Sequence, residues 1–145
     1  MVKDVETGTF VPFDFELIAR HLPDLARVDY KLTVHSFTPI IDSSNMNPTI
    51  WVEMAELITN NHDHYDGFVI LHGSDTMSFS ASILSFMLEG LQKPVILSGS
   101  QLPIGEIRTD ARENMMTALE IASAKENGKS IVQEVCILFD NKLFR

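Results

Sequence analysis

Three short apolar runs constrain this chain more than anything else in it: FVIL at 68–71, VIL at 95–97 and VCILF at 135–139. None alternates with polar residues. A strand with one solvated face alternates, so uninterrupted runs of this kind belong to strands covered on both faces, as in parallel sheets. Parallel neighbours need a long crossover, and the 21 residues between His72 and Pro94 are enough for a helical one.

The intervening segments supply the helices. Asn47 followed by Pro48 gives a cap and a first-turn proline, and Trp51, Met54, Ala55 and Ile58 form one apolar stripe behind them. Met77–Leu88 carries no charge and reads as a buried helix, with Phe86 and Met87 in the core. Asp110 with Glu113 three positions on has the form of a capping box. Met115, Ala118, Leu119 and Ala122 follow as a stripe that Asn127-Gly128 closes. The last strand is expected over VQEVCILF, with Lys142–Arg145 uncovered beyond it. Upstream, Phe13, Leu17, Ile18 and Leu22 predict a short helix with Asp14 as cap and Pro23 as stop, and YKLTVHSF at 30–37 alternates as a half-covered strand. The order β-α-β-α-β-α-β predicts a three-layer α/β fold: a mostly parallel sheet with helices on both faces. Without repeats, linkers or low-complexity tracts, residues 1–145 are expected to form a single α/β domain.

Composition excludes several functions. Eleven Lys and Arg against 20 Asp and Glu give a formal charge of −9, which on average repels nucleic acid and anionic membrane surfaces. No stretch approaches the ~20 apolar residues of a bilayer span, and no signal core opens the chain, so a cytoplasmic location is expected. Cys136, the one cysteine, lies within an apolar run and reads as a small buried hydrophobe in a reducing compartment. Neither G-x-G-x-x-G nor G-x-x-x-x-G-K-[ST] occurs, which leaves a dinucleotide or nucleoside triphosphate site without support. The G-x-S-x-G elbow is also missing: Gly73-Ser74 is followed by Asp75, and Gly99-Ser100 by Gln101.

In an open parallel sheet, the loops leaving the carboxyl ends of the strands converge on one crevice. That geometry selects Asp42-Ser43-Ser44-Asn45, His72-Gly73-Ser74-Asp75-Thr76 and Ser98-Gly99-Ser100-Gln101. They offer hydroxyls, small residues and two carboxylates, without a soft metal-ligand set, which suits a small polar or zwitterionic ligand. Plain alternatives stand beside this: Asp75 as a helix cap, Asp42 and its serines as a turn, His72 as a hydrogen-bonded structural histidine. His62-Asp63-His64 precedes a strand, on the opposite edge of the sheet, and reads as a solvated turn and not a metal site.

The strings YDGFVILHGSDTM and GSQLPIGEIRTDARENMMTALEIA, with the DSS loop upstream, closely resemble the bacterial L-asparaginases, especially the cytoplasmic type I group. The resemblance runs over nearly the whole chain. It implies hydrolysis of L-asparagine to L-aspartate and ammonia through an acyl-enzyme on a hydroxyl nucleophile, without cofactor or metal, in a homodimer or homotetramer. It also implies that Ser43 and Ser44, with Asp42 beside them, hold the α-carboxylate and ammonium end of the substrate, and that Asp75 pairs with the α-ammonium group. Ser74 would be the hydroxyl of a second catalytic group relayed to a lysine, and Ser100 would lie near the leaving amide. Two departures stand out. Serine occupies position 74 where the family has threonine, which keeps the hydroxyl but loses the β-branch. The TGGT nucleophile motif, its flexible tyrosine loop and the relay lysine lie outside these residues, so the chain is expected to be an interior fragment of the amino-terminal domain, inactive alone. An amino-acid-binding or regulatory module using the same crevice is the competing reading.

Overall fold

The computed structural model describes residues 2–3, 10–11, 25 and 29–145. A two-residue antiparallel pair comes first, β1 (Val2–Lys3) and β2 (Phe10–Val11). The helix expected over 13–22 lies outside the described residues. Next are α1 (Pro48–Asn61), β3 (Phe68–Leu71), α2 (Met77–Met87), β4 (Val95–Ser98) and α3 (Ala111–Ser123). The chain closes with β5 (Lys125–Glu126), β6 (Lys129–Ser130), β7 (Val135–Phe139) and β8 (Lys142–Phe144).

The central sheet runs β3-β4-β7-β8, with the first three strands parallel and β8 antiparallel. Phe68, Val95 and Val135 lie in register, as do Leu71, Ser98 and Leu138, so the carboxyl ends of all three parallel strands reach one edge. Two-sided cover explains the run on β4 in full and that on β3 in part, where Phe68–Ile70 are half-buried and Leu71 is exposed. On β4, Val95 and Leu97 face α1 and α2 with Met54, Ile58, Met77 and Leu84, while Ile96 faces α3 with Ala118, Ala122, Cys136 and Leu138. Val95, Ile96 and Leu97 are fully buried, and burying each contributes roughly 1.5–3 kcal/mol. The three-layer α/β expectation therefore holds, as does the burial of Cys136.

Local rules account for the helix boundaries. The Asn47 side chain accepts from the backbone N–H of Thr49 at 3.1 Å and Ile50 at 3.4 Å, and Pro48 opens α1. On α2 the buried residues are Met77, Ser80, Ala81 and Leu84, a stripe at helical spacing.

Five expectations fail here, each for a definite reason. Residues 30–37 form no strand; a strand requires a hydrogen-bonded neighbour, which alternation in the sequence cannot supply, and most of this segment is exposed. Phe86 and Met87 are not core: Phe86 is 82% exposed because it lies two residues, about 200° around the helix, from fully buried Leu84. Asp110 makes no capping bond to α3; Thr109 Oγ1 accepts from the Ala111 N–H at 3.1 Å instead. Asn127-Gly128 does not close α3. With φ of 51° and 79°, these two residues form the tight turn of the β5–β6 hairpin, a conformation that asparagine and glycine tolerate. Asp140 and Asn141, at 50° and 55°, turn β7 back into β8, so Lys142–Phe144 pairs along β7 where an uncovered tail was expected. His62–His64 does lie on a turn before β3, at the amino edge of the sheet.

Candidate active site

Two turns leave the carboxyl edge of the sheet side by side, His72–Thr76 after β3 and Gly99–Gln101 after β4. The Asp42–Asn45 turn reaches the same rim from the irregular segment, so only two of the three loops depart from strands. Thr76 Oγ1 donates to the Ser43 carbonyl at 2.7 Å, and Ser43 Oγ donates to Asp75 Oδ2 across a longer 3.4 Å. The structure thus brings Asp42, Ser43 and Ser44 together with Ser74 and Asp75. Glycine makes this approach possible: a Cβ on Gly73 would lie 2.2 Å from Ser43 Oγ.

Asp75 does not act as a helix cap, since neither the turn at Ser74–Thr76 nor α2 receives a side-chain capping bond. Its carboxylate faces Ser43. Asp42 does brace its own turn, accepting from the Ser44 N–H and Ser44 Oγ, both at 2.9 Å. Those two bonds hold its carboxyl below the ordinary carboxylate range. Asp42 is therefore committed structurally on one oxygen, with the rest of the side chain in solvent. Two carboxylates and several hydroxyls on one exposed rim favour a ligand with an ammonium group and hydrogen-bonding ends.

Ser100 belongs to the neighbouring turn. It sits after Gly99, where a Cβ would lie 2.3 Å from the His72 carbonyl oxygen, so the two strand ends approach as closely as backbone allows. Ser100 makes no hydrogen bond to the other candidate residues. The turn around it is anchored by residues the sequence did not single out as site residues. Asp110 accepts from the Gln101 N–H at 2.9 Å and the Leu102 N–H at 3.1 Å, and Asn114 Nδ2 donates to the Gly99 carbonyl at 2.9 Å and to Asp110 at 3.1 Å. Burial pushes the Asp110 carboxyl upward, but these donors together outweigh it and hold the group below its ordinary range. The i, i+4 spacing of Asp110 and Asn114 is the available signal, whereas the capping box expected for Asp110 pairs it with Glu113.

His72 is buried, with Nδ1 2.7 Å from the Gly73 carbonyl and Nε2 2.8 Å from Ser80 Oγ. Ser80 Oγ in turn accepts from Trp51 Nε1 at 2.8 Å. Burial lowers the imidazole pKa and keeps the ring neutral. Among the described residues, no group of three or more His, Cys, Asp or Glu is placed to hold a metal ion, and no helix is long and apolar enough to cross a membrane.

Comparison with known proteins gives the family. The family model for the N-terminal asparaginase domain matches residues 1–145. L-asparaginase 1 of Escherichia coli K12 is 50% identical over 113 residues, which are 78% of this chain and 32% of that protein. A 60 kDa lysophospholipase of Mus musculus is 46% identical over 135 residues, 93% of this chain and 22% of its own length. The crystal structure of L-asparaginase I from Vibrio cholerae superposes with a TM-score of 0.80 at 43% identity, covering 93% of this chain and 40% of that one. The chain thus spans a third or less of these curated relatives. A match over its full length, with the same fold at this identity, establishes that the chain belongs to the asparaginase N-terminal family.

Proposed function

We propose that the full-length protein hydrolyses L-asparagine to L-aspartate and ammonia, in the cytoplasm, and that residues 1–145 supply one wall of its substrate site. In this reading the Asp42–Ser44 turn holds the α-carboxylate and ammonium end, and Asp75 pairs with the α-ammonium group. Ser74 is the hydroxyl of a catalytic group relayed to a lysine, and Ser100 lies near the leaving amide. A hydroxyl nucleophile outside these residues adds to the amide carbon, the C–N bond breaks, ammonia leaves, and water then cleaves the resulting ester.

One observation carries the reading: Thr76 and Asp75 tie the Ser43 turn to the Ser74 turn on the carboxyl rim of a sheet whose entire sequence matches the asparaginase family. The test is ammonia release by the full-length protein and its Asp75→Asn variant. Loss of a charge-assisted contact in a closed site lowers kcat/KM by about 2–3 kcal/mol, roughly 30- to 150-fold. Near-normal kinetics in the variant would remove Asp75 from the site. Aspartate binding by calorimetry without turnover would favour the binding module, and fatty-acid release from a lysophospholipid without ammonia from asparagine would move the protein to another acyl-transfer chemistry.

A further inference from the structure

We propose that His72 is a positioning residue of this site: it fixes the Gly73–Ser74 peptide, and with it the Ser74 hydroxyl, in a tautomer set by Ser80 and Trp51. The proposal rests on the functional reading above for its kinetic arm only.

In the neutral ring that burial favours, the hydrogen bonds admit a single assignment. The Gly73 carbonyl can only accept, so Nδ1 of His72 carries the proton. Trp51 Nε1 can only donate, so Ser80 Oγ accepts from it and sends its own hydrogen to the unprotonated Nε2 of His72. The chain Trp51→Ser80→His72→Gly73 therefore runs in one direction, from α1 through α2 to the turn after β3. Ser80 is fully buried and His72 nearly so, and a buried polar chain whose every member is satisfied specifies one arrangement of the groups it joins.

The need for such a pin comes from Gly73. Position 73 must be glycine because Ser43 occupies the space of a Cβ. Glycine, however, leaves the following peptide plane free to rotate at little steric cost. An acceptor bond on the Gly73 carbonyl opposes that rotation. Because Ser74 follows directly, its N–H and side-chain direction depend on the same plane. His72 is itself held at its own backbone, where its N–H donates to the Ser98 carbonyl at 2.8 Å.

The experiment uses the full-length protein with 15N-labelled histidine and 13C-labelled glycine. Asparagine places an amide N–H where His72 has Nδ1, and glutamine places one where it has Nε2, so the two variants separate the two bonds of the ring. His72→Asn is expected to keep kcat within about 3-fold. His72→Gln lowers kcat about 10- to 100-fold with KM for asparagine changed less than about 3-fold, the size expected for one lost positioning hydrogen bond. Ser80→Ala removes the donor to Nε2 and releases the tautomer, with a kcat loss between those two. Equal kcat losses in His72→Asn and His72→Gln, tracking their thermal stabilities, would reduce His72 to a packing residue and overturn the proposal. The spectroscopic arm needs no activity. The wild-type ring should show a protonated Nδ1 and an unprotonated Nε2, and the Gly73 carbonyl carbon should shift in His72→Gln but stay in His72→Asn. An Nε2-protonated ring, or an unmoved Gly73 carbonyl in His72→Gln, refutes it even if the full-length protein releases no ammonia from asparagine.

Discussion

The turns after β3 and β4 occupy adjacent places on one rim, yet they are secured by opposite means. The His72–Thr76 turn is held from beneath by a neutral, buried chain of Trp51, Ser80 and His72, whereas the Gly99–Leu102 turn is held from the flank by the Asp110 carboxylate and Asn114. A neutral buried chain owes its strength to exclusion of water. A partly exposed carboxylate owes its strength to the number of N–H donors converging on it. The comparison teaches that two neighbouring pieces of one site can loosen under different conditions.

The largest expected effect comes from the glycine that lets the two turns meet. A Cβ in Gly99→Ala would lie 2.3 Å from a backbone oxygen of His72 and 2.7 Å from Met77 Cε, and the backbone atom cannot yield without parting the strand ends. Overpacking of this sort costs about 1–3 kcal/mol, and displacement of both turns should lower kcat/KM about 100-fold. Urea denaturation and asparagine kinetics on the full-length protein check this; an unchanged midpoint would show that the turns are not so closely joined.

Acidification separates the two devices. His72 has a lowered folded-state pKa, so below its ordinary value near ~6.5 the unfolded chain binds the extra proton and stability falls until the lowered value is passed. Asp110 is also lowered, so its contribution is intact above the ordinary carboxyl value near ~4 and is lost as pH falls through the folded value. Urea denaturation followed from pH 8 to pH 3 should therefore show stability lost in two windows, the His72 loss opening below about 6.5 and the Asp110 loss below about 4. Simultaneous transitions would contradict the assignment of distinct supports.

Asp110→Asn comes next, with a loss of about 1 kcal/mol, since its charge-assisted bonds are partly open to solvent. Faster amide exchange at Gln101 and Leu102, with the Gly73 turn unchanged, is the signature. The smallest effect is reserved for Lys125→Met, which breaks an exposed pair with Asp66 at 2.7 Å. Such pairs contribute about 0–1 kcal/mol, and a larger loss in urea denaturation would show that carboxylate bonds on this surface are not graded by their donors.

Legibility from sequence followed the same division between local and assembled features. The apolar runs on β3, β4 and β7, the Asn47-Pro48 start of α1 and the stripe Met54-Ala55-Ile58 behind it each express a rule that neighbouring residues satisfy among themselves. Asp110 and Asn127-Gly128 had a correct local signal attached to the wrong partner. Capping and loop anchoring use the same carboxylate, and helix closure and hairpin turns use the same dipeptide, so only the position of the recipient tells them apart. Phe86 misled because a charge-free helix has no polar face to announce which side meets solvent. For the site, the composition of the loops was readable. Thr76, Gly73, Asn114 and the Ser80–Trp51 chain were not, because their partners lie from 15 to 33 positions away or, for Gly73, in space that a side chain would have filled.

Sequence alone determined that apolar segments would form the sheet, that helices would do the covering, and that small hydroxyl-rich turns would follow two of those strands; the cover is full on β4 and only partial on β3, where Leu71 is exposed. Periodicity and burial are properties of a chain in contact with itself at short range and water at large, and they leave their mark residue by residue. Only the tertiary structure decided which turn the Ser43 carbonyl meets, which way the Gly73 carbonyl points, and that Asp110 reaches back to Gln101 in place of its own helix. Those outcomes depend on hydrogen bonds whose donors and acceptors become neighbours only after the sheet has formed, and their directions are set by geometry that no single segment contains.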